Sequence, residues 1–193
     1  MQQGRQLAKL TGDAKSYSER LFDFPEVDKL DKKSAIQALV KPVREEGMNY
    51  ELAALDEVLK ETGGYPYFLQ VWGSHIWEVA ESSPITTNDV IKATSRALRA
   101  LDKGFFKVRI ERLTERQLNY TLAIAAVDRL PANSTDVANV LGISVSQAAP
   151  LREELIKKGI AYSPNRGLVT FSVPKFKEYL LRSGYYSKLT VPD

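Results

Sequence analysis

The stretch DVANVLGISVSQAAPLREELIKKG, residues 136–159, decides the fold of this chain. Ala138 leaves room for two helices to cross closely, and Gly142, four residues later, supplies a tight turn. After the turn, apolar residues recur where a second helix would pack onto the first; they are Ile143, Ala148, Leu151 and Leu155. This pattern predicts a helix-turn-helix.

A helix precedes this unit and a β-hairpin follows it. Residues 114–128 have the pattern of a helix with its apolar side inward. Two runs of β-forming residues, 160–163 and 168–172, flank the turn sequence Pro-Asn-Arg-Gly. That spacing indicates a hairpin with a glycine-containing loop, and a hairpin directly after a helix-turn-helix gives the winged variant. A last short helix over residues 176–181 follows Pro174.

Two start positions are possible for the second helix of this unit. Ser144 and Gln147 have the spacing of a capping box, but a start there places Pro150 in the helix interior. A start at Ser146 places Pro150 in the first turn, where its missing N–H carries no cost. We therefore expect the helix to begin at Ser146.

The same helix is the candidate for reading DNA, together with the hairpin. The candidate contacts are Ser146, Gln147, Arg152 and Arg166. The exposed set is poor in groups that read bases or bind phosphate, and Glu153 and Glu154 would repel phosphates. Sequence therefore leaves two partners open for this unit, double-stranded DNA or a protein.

The sequence pattern of the first half predicts four helices over residues 31–112. Pro42 ends or kinks the first, Asn49 caps the second, Pro66 opens the third, and Thr86 or Thr87 starts the fourth. The third is apolar nearly all round, so we expect it to be buried. The expected buried positions are Leu52, Leu55, Val58 and Leu59 in the second helix and Ile91, Thr94, Leu98, Leu101, Phe105 and Val108 in the fourth.

Composition narrows the classes of function. The 193 residues carry a formal charge of +3, no cysteine and one histidine, His75. The absence of cysteine excludes disulfides and thiolate nucleophiles, and one histidine leaves no His-rich metal site. No stretch approaches the ~20 apolar residues of a spanning helix, and the N-terminus lacks the apolar core of a signal peptide. We expect a cytoplasmic protein without a membrane partner.

Basic residues are concentrated in two places. Residues 150–193 carry eight basic and four acidic side chains, which permits a nucleic-acid partner without requiring one. A second group of basic residues has helical spacing on the fourth helix. Three alternatives are open for it: contact with phosphates, contact with an acidic partner, or a helix face exposed only to solvent. The group comprises Lys92, Arg96, Arg99 and Lys103.

Signatures of catalysis are missing from the sequence. None of the eleven glycines is followed by lysine, so the chain has no phosphate-binding GK[ST] loop, and no GxGxxG is present. His75 has a serine neighbour, Ser74, but sits on the buried third helix, where a core or interface histidine is expected. We predict no catalytic residue and no metal ligand.

Three segments carry a resemblance to a known family. They are KSYSERLFDFP at residues 15–25, ETGGYPYFLQ at residues 61–70 and LVTFSVPKFKEYLLR at residues 168–182. Together they make the chain resemble the C-terminal part of an AAA+-like ATPase of the STAND or archaeal type. ETGGYPYFLQ is similar to the Gly-x-Pro motif that these ATPases place beside the nucleotide.

The resemblance implies a mainly α fold in which a four-helix lid precedes a winged helix-turn-helix domain. Its boundaries are a connector from the ATPase core (1–30), the lid (31–112), the winged-helix domain (113–185) and a tail (186–193). It places Gly64, Tyr65 and Pro66 near the nucleotide, whereas the lid's sensor arginine has no match. The Walker A and B motifs would lie upstream of Met1, so ATP or ADP would bind to that upstream core and the isolated chain would hold no cofactor.

Three hypotheses follow. In the first, the lid and winged helix belong to an ATP-dependent switch that couples nucleotide state to binding of DNA or protein, with no catalysis by this chain alone. In the second, the chain is a stand-alone winged-helix transcriptional regulator whose helical half dimerises or senses a ligand. A weaker third is a hydrolase built on Ser74 and His75.

Overall fold

A computed structural model describes residues 29–189 of the chain. The KSYSERLFDFP segment at residues 15–25, nearly all of the connector (1–30) and the last residues of the tail lie outside this range. The helices of the first half are α1 (Lys32–Glu45), α2 (Leu52–Thr62), α3 (Pro66–Val79) and α4 (Thr87–Leu101), and a π-helical turn (Asp102–Phe106) joins α4 to α5 (Lys107–Ile110).

α1 begins at a side-chain cap, whereas the N-cap residue of α2 forms no capping hydrogen bond through its side chain. Asp31 caps α1 by accepting a hydrogen bond from the Ser34 N–H at 2.9 Å. The helix continues three residues past Pro42 to Glu45, so the expectation that Pro42 ends it is wrong. The cap of α2 is Glu51 rather than Asn49. Leu52, at the first position of α2, is 81% exposed and not buried as expected.

α3 is the central helix, and Pro66 is its first residue as predicted. Its buried side consists of Phe68, Leu69, Trp72 and Ile76. The opposite side reaches solvent, because Tyr67 is 43% and Trp77 is 44% exposed. The prediction of burial all round is therefore wrong for these two residues.

α4 begins with a capping box. Thr86 and Asp89 exchange hydrogen bonds between side chain and backbone, which confirms the predicted start. Its buried positions are Val90, Ala93, Ala97 and Leu101, about one residue away from most of the predicted set. In particular, Ile91 is 60% exposed. The π-helical turn then buries both Phe105 and Phe106.

The second half combines short helices with a small sheet. Its elements are α6 (Glu115–Ala126), β1 (Ala132–Asn133), α7 (Ser134–Val140), α8 (Val145–Lys157), β2 (Ala161–Tyr162), β3 (Leu168–Phe171), α9 (Phe176–Arg182) and a 3-10 turn (Tyr185–Lys188). The sheet is antiparallel with the order β1-β3-β2, and it pairs Ala132 with Val169 and Ala161 with Phe171. The predicted mainly α class is confirmed, with one three-stranded antiparallel sheet in the described residues.

α8 begins earlier than expected. Ser144 caps it in a capping box with Gln147, so the helix starts at Val145 and the predicted start at Ser146 is wrong. Pro150 consequently lies inside the helix. Its ring nitrogen cannot donate to the carbonyl of Ser146, so the reciprocal cap outweighs the loss of one internal hydrogen bond.

One continuous core joins the two halves. The ring of Phe106, in the π-helical turn, stacks on Phe176 and Tyr179 of α9 with centroid distances of 5.5 and 4.9 Å. All three rings are at most 3% exposed. Lys175 forms an ion pair with Glu61 of α2 at 2.9 Å, and the packing fixes the second half against the first.

Candidate functional site

The predicted nucleotide-proximal residues form the turn between α2 and α3. Gly63 and Gly64 both have a positive φ, of 60° and 74°, which ends α2 and reverses the chain. Gly64 accepts a hydrogen bond from the Leu30 N–H at 2.9 Å through its carbonyl oxygen. A Cβ at this position would lie 2.7 Å from the Leu30 carbonyl oxygen. Only glycine allows the chain before α1 to pass this close to the turn.

Tyr65 and Pro66 set the direction of α3. Tyr65 is the N-cap residue, and its ring packs edge-on against Phe68 and Phe105 at 5.0 and 6.3 Å. Pro66 is the first helical residue, where an N–H would have no helical partner. The structure therefore brings Gly64, Tyr65 and Pro66 together in one rigid turn, with grooves on both sides of it.

The first groove, which we call the sheet-side groove, lies between the two halves and has a volume of about 740 Å³. Tyr65 and Arg109 line it from the first half, and Ser172 and Lys177 line it from the second. The Arg109 guanidinium lies 3.6 Å from the centroid of the Phe105 ring and donates to the carbonyl oxygen of the same residue at 3.1 Å. Burial lowers the pKa of Arg109, an effect that the nearby tyrosine hydroxyls oppose. Sequence reasoning did not single out this arginine.

The second groove, which we call the helical groove, runs between α1 and α3 and has a volume of about 780 Å³. Its walls are apolar, with Leu39, Val43, Leu69 and Trp77 among the lining side chains. Pro66 stands at its edge. The 63–66 turn thus lies between a groove of mixed character that carries basic side chains and a groove that is mainly apolar.

Two of the predicted DNA contacts are occupied by the cap of α8. The Gln147 side-chain oxygen accepts from the Ser144 N–H and hydroxyl, both at 2.9 Å. The Ser146 hydroxyl lies 2.9 Å from that of Ser144. All three side chains are exposed, so the N-terminal end of α8 presents a neutral polar surface.

Arg152 turns away from the exposed face of α8 and into the hairpin. Its guanidinium donates to the Ser163 hydroxyl and, at 3.1 Å, to the Leu168 carbonyl oxygen. The side chain therefore ties the helix to both ends of the β2–β3 loop. Arg166 is different, because it is exposed in that loop and forms no hydrogen bond or ion pair with residues 29–189.

The remaining sequence candidates lie in the helical half. Nδ1 of His75 lies 2.9 Å from a carboxylate oxygen of Glu78, one turn along α3, and Ser74 is exposed beside it. An isolated pair of this kind is typical of a helix surface. Lys92, Arg96, Arg99 and Lys103 are all exposed. Within residues 29–189, no three His, Asp or Glu side chains gather as metal ligands, and no helix is long and apolar enough to span a bilayer.

A sequence family and a solved structure are similar to parts of this chain. Residues 103–180 match a sequence family described as a domain of unknown function, DUF8462, which covers less than half of the chain. No curated protein matches the sequence significantly. Among solved structures, a mutant RuvB from Thermotoga maritima is similar at 18% identity and a TM-score of 0.38. The match covers 86% of this chain and 51% of that one. At this TM-score the two chains need not share a fold.

Proposed function

We propose that the chain is the lid and winged-helix part of an ATP-dependent switch. ATP or ADP would bind to an ATPase core upstream of this sequence, close to the 63–66 turn. The chain itself would perform no catalysis. It would transmit the nucleotide state to a partner bound at the second half of the molecule.

The observation that carries this proposal is the shared core of the two halves. The end of α2 and the 63–66 turn contact the segment just before α9, since Glu61 pairs with Lys175 and a Cβ at Gly63 would lie 3.9 Å from Pro174. Farther along, Phe106 stacks on the rings of α9. Stacked aromatic rings and a partly buried ion pair resist separation, so a displacement of the turn moves the second half with it.

The element order supports the winged-helix assignment for residues 113–185. The chain runs α6-β1-α7-α8-β2-β3, and the middle strand of the sheet is β3. Under this assignment α7 and α8, with the tight turn at Gly142, would be the helix-turn-helix, and the β2–β3 loop would be the wing. Helices α1 to α4, with the Gly64-Tyr65-Pro66 turn before α3, support the assignment of residues 31–112 as the lid.

The charge of the α8 face favours a protein as the partner. Its N-terminal end exposes Val145, Ser146 and Gln147, and Glu153 follows on the exposed side. Arg152, the basic residue nearest the N-terminal end of α8, is committed to the hairpin. DNA-reading helices need cations for phosphates and donors or acceptors for base edges. A neutral surface with a half-exposed valine is closer to a protein interface.

The first test is enzymatic. The purified chain is expected to show no steady-state turnover of ATP in a coupled phosphate-release assay. The assignment as a non-catalytic module would be overturned by ATP turnover above background that copurifies with the chain and is lost when His75 is replaced by Gln. Such turnover would favour the hydrolase hypothesis instead.

A second candidate function, a winged-helix DNA-binding regulator, is favoured by Arg166. An exposed cation at the tip of a hairpin is where a wing meets a phosphate. Under this alternative, R166E weakens binding of a cognate duplex selected from a random pool, while K41E on the exposed side of α1 does not. Equal affinity for wild type and R166E would remove the alternative.

A further inference from the structure

Four cations form a row along the exposed side of α4 and its π-helical continuation. Lys92, Arg96, Arg99 and Lys103 follow one another at steps of four, three and four residues, and all are exposed. At about 100° per residue they fall within about 60° of arc. Eleven residues at a rise of about 1.5 Å make the row about 16 Å long. We call it the α4 basic row.

Some basic side chains of the described residues form ion pairs, whereas the cations of this row, like several others on the surface, do not. Lys32 pairs with Asp56 at 2.8 Å, and Lys60 pairs with Glu57 at 3.0 Å. Within residues 29–189, none of the four row side chains forms an ion pair or a hydrogen bond. Like charges three and four residues apart on a helix repel one another, so the row is unfavourable in the free protein.

The acidic residues of the same helix are bound elsewhere. Asp89 accepts hydrogen bonds from the Thr86 N–H and hydroxyl at 2.9 and 2.7 Å. These bonds lower the pKa of Asp89, and Lys92 adds a smaller effect through space. Asp102, in the π-helical turn, is bound by the guanidinium of Arg182. The positive charge of the row is therefore left for a partner outside the chain.

The surroundings of the row fit a continuous line of negative charge. Ser95, Ala100 and Gly104 beside it are small and exposed, and nothing lies within 4 Å of a Cβ built at Gly104. Protein interfaces place aromatic and apolar side chains at their centre, whereas here Ile91, at one end of α4, is the large apolar side chain exposed on this helix. A nucleic-acid strand offers one phosphate per about 3.4 Å of axis, which supplies anions along the whole length of the row.

We propose that the α4 basic row binds the phosphate backbone of double-stranded DNA without reading sequence. The contact lies on the helical half and does not rest on the function proposed above for the α8 face. Four phosphate contacts give a slope of log K against log salt of about −3.6. Raising the salt from about 50 to 200 mM then weakens the row's contribution by about 150-fold.

The experiment measures fluorescence anisotropy of a labelled random-sequence duplex of about 20 base pairs against the full chain, at about 50 to 200 mM KCl. The test variant is K92Q/R96Q/R99Q/K103Q. The control variant, K32Q/K33Q/K41Q/R44Q, removes the same formal charge from exposed positions of α1. Glutamine is a good helix former, so both are expected to fold, which circular dichroism and melting temperature check.

We expect the row variant to lose at least about tenfold in affinity and most of the salt slope, and the α1 variant to bind within about twofold of wild type. Equal losses in both variants would mean that net charge alone attracts DNA, and absence of binding by wild type would exclude the site; either result overturns the proposal. Competition by poly-glutamate as effective as that by unlabelled duplex would identify an acidic protein surface as the partner and overturn it too. If R166E weakens binding and the row variant does not, the contact belongs to the hairpin and the row is excluded.

Discussion

The replacement of Gly64 by Ala tests the geometry of the predicted nucleotide-side turn. Gly64 has a φ of +74°, and its new Cβ would lie 2.7 Å from the Leu30 carbonyl oxygen. Gly47 has nearly the same φ, +75°, but a Cβ there meets nothing within 4 Å. Placing alanine in the left-handed region costs about 1–2 kcal/mol at either site. The pair of variants therefore separates backbone strain from the contact with residue 30.

The contact adds a second cost at Gly64 alone. A backbone carbonyl cannot yield like a flexible side chain, so the segment at Leu30 must move and its hydrogen bond to the Gly64 oxygen is lost or lengthened. A lost hydrogen bond of this kind costs about 1 kcal/mol, which brings G64A to about 2–3 kcal/mol against 1–2 for G47A. In a chain of this size 1 kcal/mol corresponds to about 2–4 °C in Tm.

Differential scanning fluorimetry of the two variants and of G63A gives the answer. A Cβ at Gly63 makes only an ordinary contact with Pro174 at 3.9 Å, so G63A should resemble G47A. G64A should melt about 2–4 °C below both. Equal melting temperatures for the three variants would refute the close approach of residue 30 to the turn.

Three further outcomes follow from the packing and the titrating groups. F106A removes a fully buried ring between the halves and should lower the free energy of unfolding by about 3–5 kcal/mol in urea denaturation; a loss below about 1 kcal/mol contradicts a shared core. R152M should cost about 1–3 kcal/mol because two hairpin oxygens lose a charged donor, while R166M should change stability by less than about 0.5 kcal/mol. Burial raises the pKa of Tyr50 and Tyr120 to about 12, so the unfolded chain, with tyrosines near 10, loses these protons first. The stabilisation that comes from these two protonated tyrosines is therefore fully present below about pH 10 and is lost as the pH rises towards about 12. The free energy of unfolding, measured by urea denaturation at each pH, should decrease less with pH in Y50F/Y120F than in the wild type.

The parts of the fold that sequence predicts are those fixed by neighbours along the chain. The capping boxes of α4 and α6 join residues three positions apart, and the start of each helix follows from them. β1 is the opposite case, because a strand of only two residues exists through its pairing with β3, more than thirty residues later. Because no local sequence pattern indicates that pairing, β1 is not predicted from the sequence.

The buried face of α4 shows a second limit. Periodicity favours large apolar residues, so it selects Ile91, which is exposed. The helix instead turns Ala93 and Ala97 inward, because small side chains let it approach its neighbours closely. The π-helical turn then advances the face so that Phe105 and Phe106 are both buried. The pattern of hydrophobic residues alone predicts neither the inward position of the two alanines nor the π-helical turn.

The sequence and the structure differ in which basic side chains are available to bind a partner, and this difference bears on function. The basic surplus of residues 150–193 permits a nucleic-acid partner at the C-terminal end without requiring one. In the structure most of it holds the molecule together, since the amines and guanidinium groups donate to oxygens elsewhere in the chain. These residues are Arg152, Lys158, Lys175, Lys177 and Arg182.

The opposite holds in the helical half, residues 31–112. Several of its acids are used in caps and ion pairs, as at Asp31, Asp56 and Asp89, whereas the four cations of the α4 basic row have no ion-pair or hydrogen-bond partner within residues 29–189. Counting charges along a sequence gives the sign of the balance but not which charges reach the surface. A cation is available to a polyanion only where the fold brings no oxygen to it. By that criterion the α4 basic row is better placed than α8 to bind phosphate, although α8 is the helix for which the sequence leaves DNA and a protein open as partners.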